Sequence, residues 1–251
     1  MGPSLFAWAL FVGTGGDVRV LDADASFEGL PSPPLSAVFE IESTSRVLRG
    51  DWELPDDVLL VFSPAWPRTT RALAEAIAAT TNVTILRDED AEPREVRQWW
   101  RSLSPAARTR VHLADVRVNS PWVRDYGPFQ VRDRGGKQLW LDAEYDERRT
   151  RDDSMPSYLV SHRPRTVEDY PDWIEGGAFV SDGMGLCAAT VDYFDLRGPR
   201  LADPEDVAQL QRALGCRVLA VFPALSTEPT NHADMVVQFL SPTRVLVASS
   251  N

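Results

Sequence analysis

Cysteine and histidine are scarce in this chain: two cysteines, Cys187 and Cys216, and three histidines, His112, His162 and His232, stand among 251 residues. Two cysteines make neither a disulfide framework nor a zinc signature. No histidine lies at metal-ligand spacing from another, so no structural metal is expected. Positive charge is also in short supply. Twenty-six Lys and Arg against 37 Asp and Glu leave a formal net charge of -11. That balance argues against nucleic acid and anionic membrane surfaces as partners, since both demand basic patches. Long apolar runs are missing as well, and nothing approaches the roughly 18 residues a membrane span needs. Leu5 to Val12 is apolar and fits either a short signal-like core or a first buried strand. No Lys or Arg precedes it and no small-x-small cleavage site follows it.

What the chain does hold is the composition of a folded, water-soluble protein, 43% hydrophobic and 25% charged, long enough for one large domain or two small ones. After a Gly- and Pro-rich loop or extended stretch, Gly13 to Pro34, strands and helices alternate. Val58 to Phe62 is a short apolar run of the kind buried on both faces. Pro67 opens a helix over Arg68 to Ala79 with Leu73, Ala76 and Ile77 as its apolar stripe. Val83 to Leu86 reads as a second strand. Pro93 starts another helix through Trp99, Trp100 and Leu103, and Val111 to Val118 is a strand. Asp203 caps a helix with Pro204 at its first position and Gly215 as its stop, and the strand Val218 to Phe222 follows. The alternation repeats in units of roughly 50 residues, which suggests a repeated supersecondary module. The mixed run of Arg148, Arg149 and Arg151 among Asp146, Glu147, Asp152 and Asp153 reads as a solvated face.

Three short segments bring chemistry. Trp122-Val123-Arg124-Asp125-Tyr126-Gly127-Pro128 reads as a rigid turn ahead of the strand-like Phe129 to Val131. Its Arg-Asp pair is either structural or a carboxylate aimed into a pocket; carboxylates grip guanidinium through two parallel N–H···O bonds. Trp173-Ile174-Glu175-Gly176-Gly177 places an acid beside two glycines, where backbone can approach a ligand closely. Asp182 to Gly185 behind it reads as an ordinary hairpin turn, and Asp182 is left out of the site. Asn231-His232-Ala233-Asp234 sets a His and an Asp two apart, on one face if the segment is a strand. A partner acid is what His needs to fix its tautomer and tune its pKa.

Together these segments resemble those of the agmatine deiminase and bacterial peptidylarginine deiminase family, within the guanidine-modifying (pentein) superfamily. Trp122 to Pro128 resembles the family's W-x-R-D-x-G-P segment, Glu175 to Gly183 its E-G-G-x-x-x-x-D-G segment, and His232 to Asp234 its G-H-x-D segment. Asp51-Trp52-Glu53-Leu54-Pro55 and the stretch near Trp66-Pro67 resemble the family's opening. The resemblance implies an α/β fold, a five-bladed β/α propeller of repeated ββαβ-type modules. It implies a residue 1–44 extension and an incomplete deiminase domain over 45–251. It further implies hydrolysis of a guanidino group to a ureido group with loss of ammonia, through a cysteine thiouronium and with no metal or organic cofactor. Asp125 and Asp234 would hold the guanidinium, Glu175 would support that network, and His232 would act as general acid and then base. Trp122, Arg124, Gly176 and Gly177 would complete the substrate site. The implied partner is a cationic guanidino compound, agmatine in putrescine synthesis or an arginine-containing peptide. The segment from Tyr145 to Pro156 looks slightly more like the peptidylarginine branch.

The chain departs from the family in three places. Asn231 stands where the family has Gly, a substitution that Asn's tolerance of positive φ can absorb. Ala178 stands where a polar residue is common. The nucleophilic cysteine of the family lies well beyond G-H-x-D, and here Cys187 and Cys216 read as small core residues. The expectation is therefore a propeller lacking its C-terminal module, its last strand, Val245 to Asn251, left with an unpartnered edge. The alternative is a non-catalytic guanidinium-binding protein.

Overall fold

Proline begins the regular structure at several points. Pro67, Pro93, Pro105 and Pro204 each stand in the first turn of a helix, where the missing N–H has no intrahelical partner to lose and φ is already set. In the computed structural model, residues 17–22, 37–162, 166–196, 200–226 and 228–249 are described; Leu5 to Val12 lies outside them. The elements begin β1 (Asp17–Asp22), β2 (Ala37–Glu40), β3 (Arg46–Leu48), β4 (Asp57–Phe62), α1 (Pro67–Ala78), β5 (Asn82–Asp88), α2 (Pro93–Arg101), α3 (Pro105–Arg108) and β6 (Val111–Val118). They continue α4 (Val123–Tyr126), β7 (Phe129–Asp133), β8 (Gln138–Glu144), α5 (Thr150–Asp153), α6 (Met155–His162), β9 (Thr166–Trp173), β10 (Val180–Ser181) and β11 (Leu186–Thr190). The last are α7 (Val191–Leu196), α8 (Pro204–Leu214), β12 (Val218–Phe222), β13 (Val237–Ser241) and β14 (Arg244–Ser249), with 3-10 turns at Gly176–Ala178 and Ala233–Met235. The chain divides into two units, both mixed α/β.

The first unit comprises residues 54–123 and 146–155 of the described chain. Its sheet is the parallel trio β4-β5-β6, the product of the strand-helix-strand alternation that the apolar runs and proline starts predict. Phe62, Val83, Ile85, Val96 and Trp99 make its core. The indole of Trp99 packs 5.3 Å from Phe62 and donates to the Pro67 carbonyl at 3.0 Å, so the second helix is tied to the start of the first. The buried stripe of α1 is Thr70, Ala74 and Ala78; of the three residues expected there, Ile77 packs partly buried against the core, Leu73 is half-buried and Ala76 faces solvent. Small residues at i, i+4, i+8 let the helix sit close on the sheet. The mixed-charge run also needs correction. Arg148 is exposed, but Asp152 is fully buried. Its carboxylate accepts the backbone N–H groups of Asn119 and Ser120 and the Ser120 hydroxyl, donors that the loop after β6 would otherwise leave unpaired.

The second unit carries three sheets, β3-β7-β8-β9, β10-β11-β12-β2 and β1-β14-β13. Its core is built on Val131, Leu141, Ile174, Phe179, Tyr193, Leu210, Leu214 and Leu219. The α8 signals of the sequence hold: Asp203 accepts the N–H of Glu205, and Gly215 takes φ 80 in the left-handed region. A Cβ on Gly215 would fall 2.6 Å from the Arg46 carbonyl, so the helix stop doubles as a packing point against β3.

Two expectations are overturned here. Cys187 and Cys216 are core residues, but they are bonded to each other, with Cα atoms 5.5 Å apart. The parallel pairing of β11 with β12 and the turn at Gly215 bring them together, a proximity that a 29-residue separation does not reveal. The last strand is no open edge either. β14 is the middle strand of its sheet, paired with β13 on one side and with Asp17–Asp22 on the other, so a stretch expected to be loop or extended chain supplies the neighbour.

Candidate active site

Asp125, Glu175, His232 and Asp234 all belong to the second unit. Asp125 sits in the helical turn α4 just before β7. Glu175 follows β9, and its backbone N–H donates to the Tyr193 hydroxyl at 2.9 Å. The Trp173 indole donates to its Oε1 at 3.3 Å. Glu175 and His232 are buried, with side chains 6% and 7% exposed. His232 Nε2 donates to Glu175 Oε2 at 2.8 Å, and its Nδ1 lies 3.5 Å from Asp125 Oδ1. Both ring nitrogens thus face carboxylates, and Tyr193 packs edge-on against the ring.

The backbone that presents His232 does so by a different route from the one expected. The segment is not a strand: His232 precedes the 3-10 turn Ala233–Met235, and β13 begins at Val237. The shared strand face of His232 and Asp234 is therefore corrected to a turn. Asn231 takes φ 60, a conformation Asn adopts more readily than most residues. Its carbonyl accepts the Thr190 hydroxyl at the end of β11, and the His232 N–H donates to Glu228 Oε2 at 3.0 Å.

The two glycines are required by space. A Cβ on Gly177 would stand 2.4 Å from His232 Nδ1 and 2.8 Å from Asp125 Oδ1, and one on Gly176 would stand 2.0 Å from the Arg124 carbonyl. Side chains at these points would part Asp125 from His232. The glycines form a 3-10 turn over Gly176–Ala178, and the short β10 follows at Val180–Ser181. Asp182 spends its Oδ1 on the N–H groups of Met184 and Leu186 in the β10–β11 hairpin.

Arg124 pairs across the fold and not merely within its own turn. Its Nε lies 3.6 Å from Asp234 Oδ2, its Nη2 lies 3.8 Å from Asp51 Oδ1, and Nη2 donates to the Phe179 carbonyl at 3.1 Å. Asp51 is not among the site residues that the sequence motifs point to; the likeness of Asp51 to Pro55 to the family's opening is its one sequence signal. Trp122 lies in the first unit, where it packs edge-on against Trp66 at 5.5 Å and is 46% exposed.

Burial shapes the electrostatics. Asp125 is pushed up to about 6 by burial, relieved in part by His232 and reinforced by Asp234 and Glu175. Asp51 is pushed up to about 6 by burial against the opposing pull of Arg124. Asp234 is raised by burial, opposed by Arg124 and His232. For His232, burial works against the charged ring, but the Glu175 hydrogen bond and the charges of Asp125, Asp234 and Glu175 outweigh it and hold the imidazole above its ordinary value. The arrangement can keep an imidazolium charged next to Asp125, whose carboxyl is pushed up to about 6, a setting for proton transfer beside a bound cation. Among the described residues no cluster of His, Cys, Asp and Glu has the form of a metal site, and no helix is long and apolar enough to cross a membrane.

Solved structures share this fold. The agmatine deiminase of Enterococcus faecalis matches with a TM-score of 0.65 at 20% identity, over 81% of this chain and 62% of its own. A variant of the C. jejuni agmatine deiminase with substrate bound matches with a TM-score of 0.66 at 13% identity, over 82% of this chain and 63% of its own. The chain therefore spans a little over three-fifths of the length of these structures. They define a deiminase-type α/β fold. Residues 55–251 match the Porphyromonas-type peptidyl-arginine deiminase family, and the chain belongs to that family.

Proposed function

We propose that this chain carries the guanidino-binding and proton-transfer half of a deiminase, on a pentein-type β/α propeller scaffold. The observation that carries the reading is His232 held between the carboxylates of Glu175 and Asp125. Asp125 and Asp234 receive the N–H groups of a substrate guanidinium, which supply both charge and orientation. Glu175, at the shorter distance, anchors the ring through Nε2 and leaves Nδ1 on the Asp125 side as the working atom. A cysteine thiolate adds to the guanidinium carbon. His232 gives its proton to the departing nitrogen, ammonia leaves, and the neutral ring then takes a proton from the water that releases the ureido product. That thiolate comes from neither Cys187 nor Cys216, which are buried and bonded to each other.

The test is calorimetric titration of the 251-residue chain with agmatine, free arginine and a peptide carrying an internal arginine. At least one binds, and Asp125→Asn or Asp234→Asn weakens it roughly tenfold or more, the scale of a lost charge-assisted hydrogen bond. Affinity rises with pH through about 6 as Asp125 ionises. A wild-type chain that binds none of the three sinks the reading. Ammonia release by this chain would overturn the assignment of the thiolate to another residue.

A further inference from the structure

Arg124 presents a difficulty for any guanidinium-binding role of Asp234. It is itself a guanidinium, it lies in the same unit, and its Nε is 3.6 Å from Asp234 Oδ2. A closed bidentate Arg-carboxylate pair, at roughly 2.7–2.9 Å, would occupy the acceptor edge that a substrate needs. The observed pairing is looser than that. On the other side of Arg124 stands Asp51, with Oδ1 at 3.8 Å from Nη2, and the Phe179 carbonyl accepts from the same nitrogen.

Asp51 is held in place by its backbone and by its neighbours. Its N–H donates to the Ser181 carbonyl at 3.0 Å, and its Oδ2 accepts the Ser181 N–H at 3.4 Å. The adjacent Trp52 indole donates to the Asp182 carbonyl at 2.9 Å. Gly50 packs so closely on Gly183 that an added Cβ would lie 3.1 Å from its backbone. The Asp51 side chain is 8% exposed. Burying a carboxylate is costly unless its charge is used. Its carboxylate also accepts the backbone N–H of Phe239; an asparagine keeps a single acceptor oxygen for these donors, and it loses the charge that attracts Arg124.

We infer that Asp51 is a positioning residue that holds the Arg124 guanidinium back from full pairing with Asp234, leaving Asp234 able to accept an incoming guanidinium. The inference rests on the guanidino-binding reading of Asp234 under Proposed function. Without the second anion Arg124 closes on Asp234 and competes with the ligand. Arg124 is in this sense a built-in competitor, and Asp51 the counterweight that sets how strongly it competes.

Calorimetric titration of agmatine at about pH 8 into the wild-type chain, Asp51→Asn, Arg124→Met and the double variant tests this. Asp51→Asn weakens binding roughly tenfold, the size of one charge-assisted hydrogen bond. Removing Arg124 as well recovers most of the loss, because the competitor is gone. A merely structural Asp51 would give no such recovery. Asp51→Asn binding as wild type, or a double variant no better than Asp51→Asn, overturns the inference while leaving the site reading intact; a wild-type chain that binds nothing sinks the site reading. A ligand-free readout stands apart from both. The Arg124 Nε–H resonance moves downfield in Asp51→Asn as its bond to Asp234 closes, and an unmoved resonance overturns the inference even if no guanidino compound binds.

Discussion

At the scale of single residues, the site carries a stability penalty that can be measured. Asp125 titrates at about 6 in the fold against 3.8 for an ordinary Asp. The folded state therefore holds that proton more tightly than the unfolded chain does. The associated stability is fully present below about pH 4 and is lost as pH rises through about 6. Asp125→Asn has no such dependence. It should gain on wild type by on the order of 2–3 kcal/mol between about pH 4 and about pH 7, read from urea denaturation at the two pH values. Parallel pH dependence in the two proteins would show that Asp125 is not raised. The same variant loses ligand affinity, so binding and stability move in opposite directions, as expected where a site holds charges the fold would do without. The acid and His positions of the site are legible in three short segments because their chemistry is local to each segment. Asp51 is not, because its meaning depends on Arg124 and Asp234, which are 73 and 183 positions away in sequence.

Elements differ in how far local signals decide them. Helix α8 starts and stops where Asp203, Pro204 and Gly215 indicate, because a cap, a proline and a left-handed glycine act over one turn. The α1 stripe is only partly legible in sequence: Ile77 packs against the core as expected, but the buried positions are Thr70, Ala74 and Ala78; what decides the face is the partner layer and not the size of the side chain. The strand-like pattern at His232 misleads for the same kind of reason. Its turn is held by Asn231, Thr190 and Glu228, of which two lie outside the segment. The Cys187–Cys216 bond is likewise a tertiary fact. It ties β11, whose Thr190 supports the His232 turn, to the start of β12. Replacing both cysteines by alanine should cost about 3–4 kcal/mol for a loop of this length, seen as a lower urea midpoint than that of the oxidised wild-type chain. Equal midpoints would mean that the two thiols are not joined in the protein.

For the whole molecule, the placement of Asp125, Glu175, His232 and Asp234 in one unit makes a spatial prediction. Agmatine at about 100 times its Kd should add about 2.7 kcal/mol to stability. Hydrogen exchange should slow at residues 49–53, 174–182 and 231–239 and stay unchanged in the strands of the β4-β5-β6 sheet. Uniform protection of both units, or none, would count against a ligand site built from those residues. The alternation of strand and helix in the first unit is legible in the amino-acid sequence, since parallel strand-helix-strand order follows from apolar runs and proline starts. The position of the last strand is not. An apolar run near a chain's end looks like an edge until Asp17–Asp22 is found beside it.

Local residue patterns were enough to read the family, the helix caps, the glycines that could admit close approach and the acids and histidine that the fold gathers. Each of these is written in residue types a few positions apart, and short-range geometry is enough to read them. The tertiary structure alone decided that the cysteines are joined, that β14 is interior, that Asp152 is buried and that Asp51 and Arg124 stand beside Asp234. These depend on segments far apart in the chain meeting in one fold, and the energy that brings them together belongs to the packing of whole sheets and not to any local pattern.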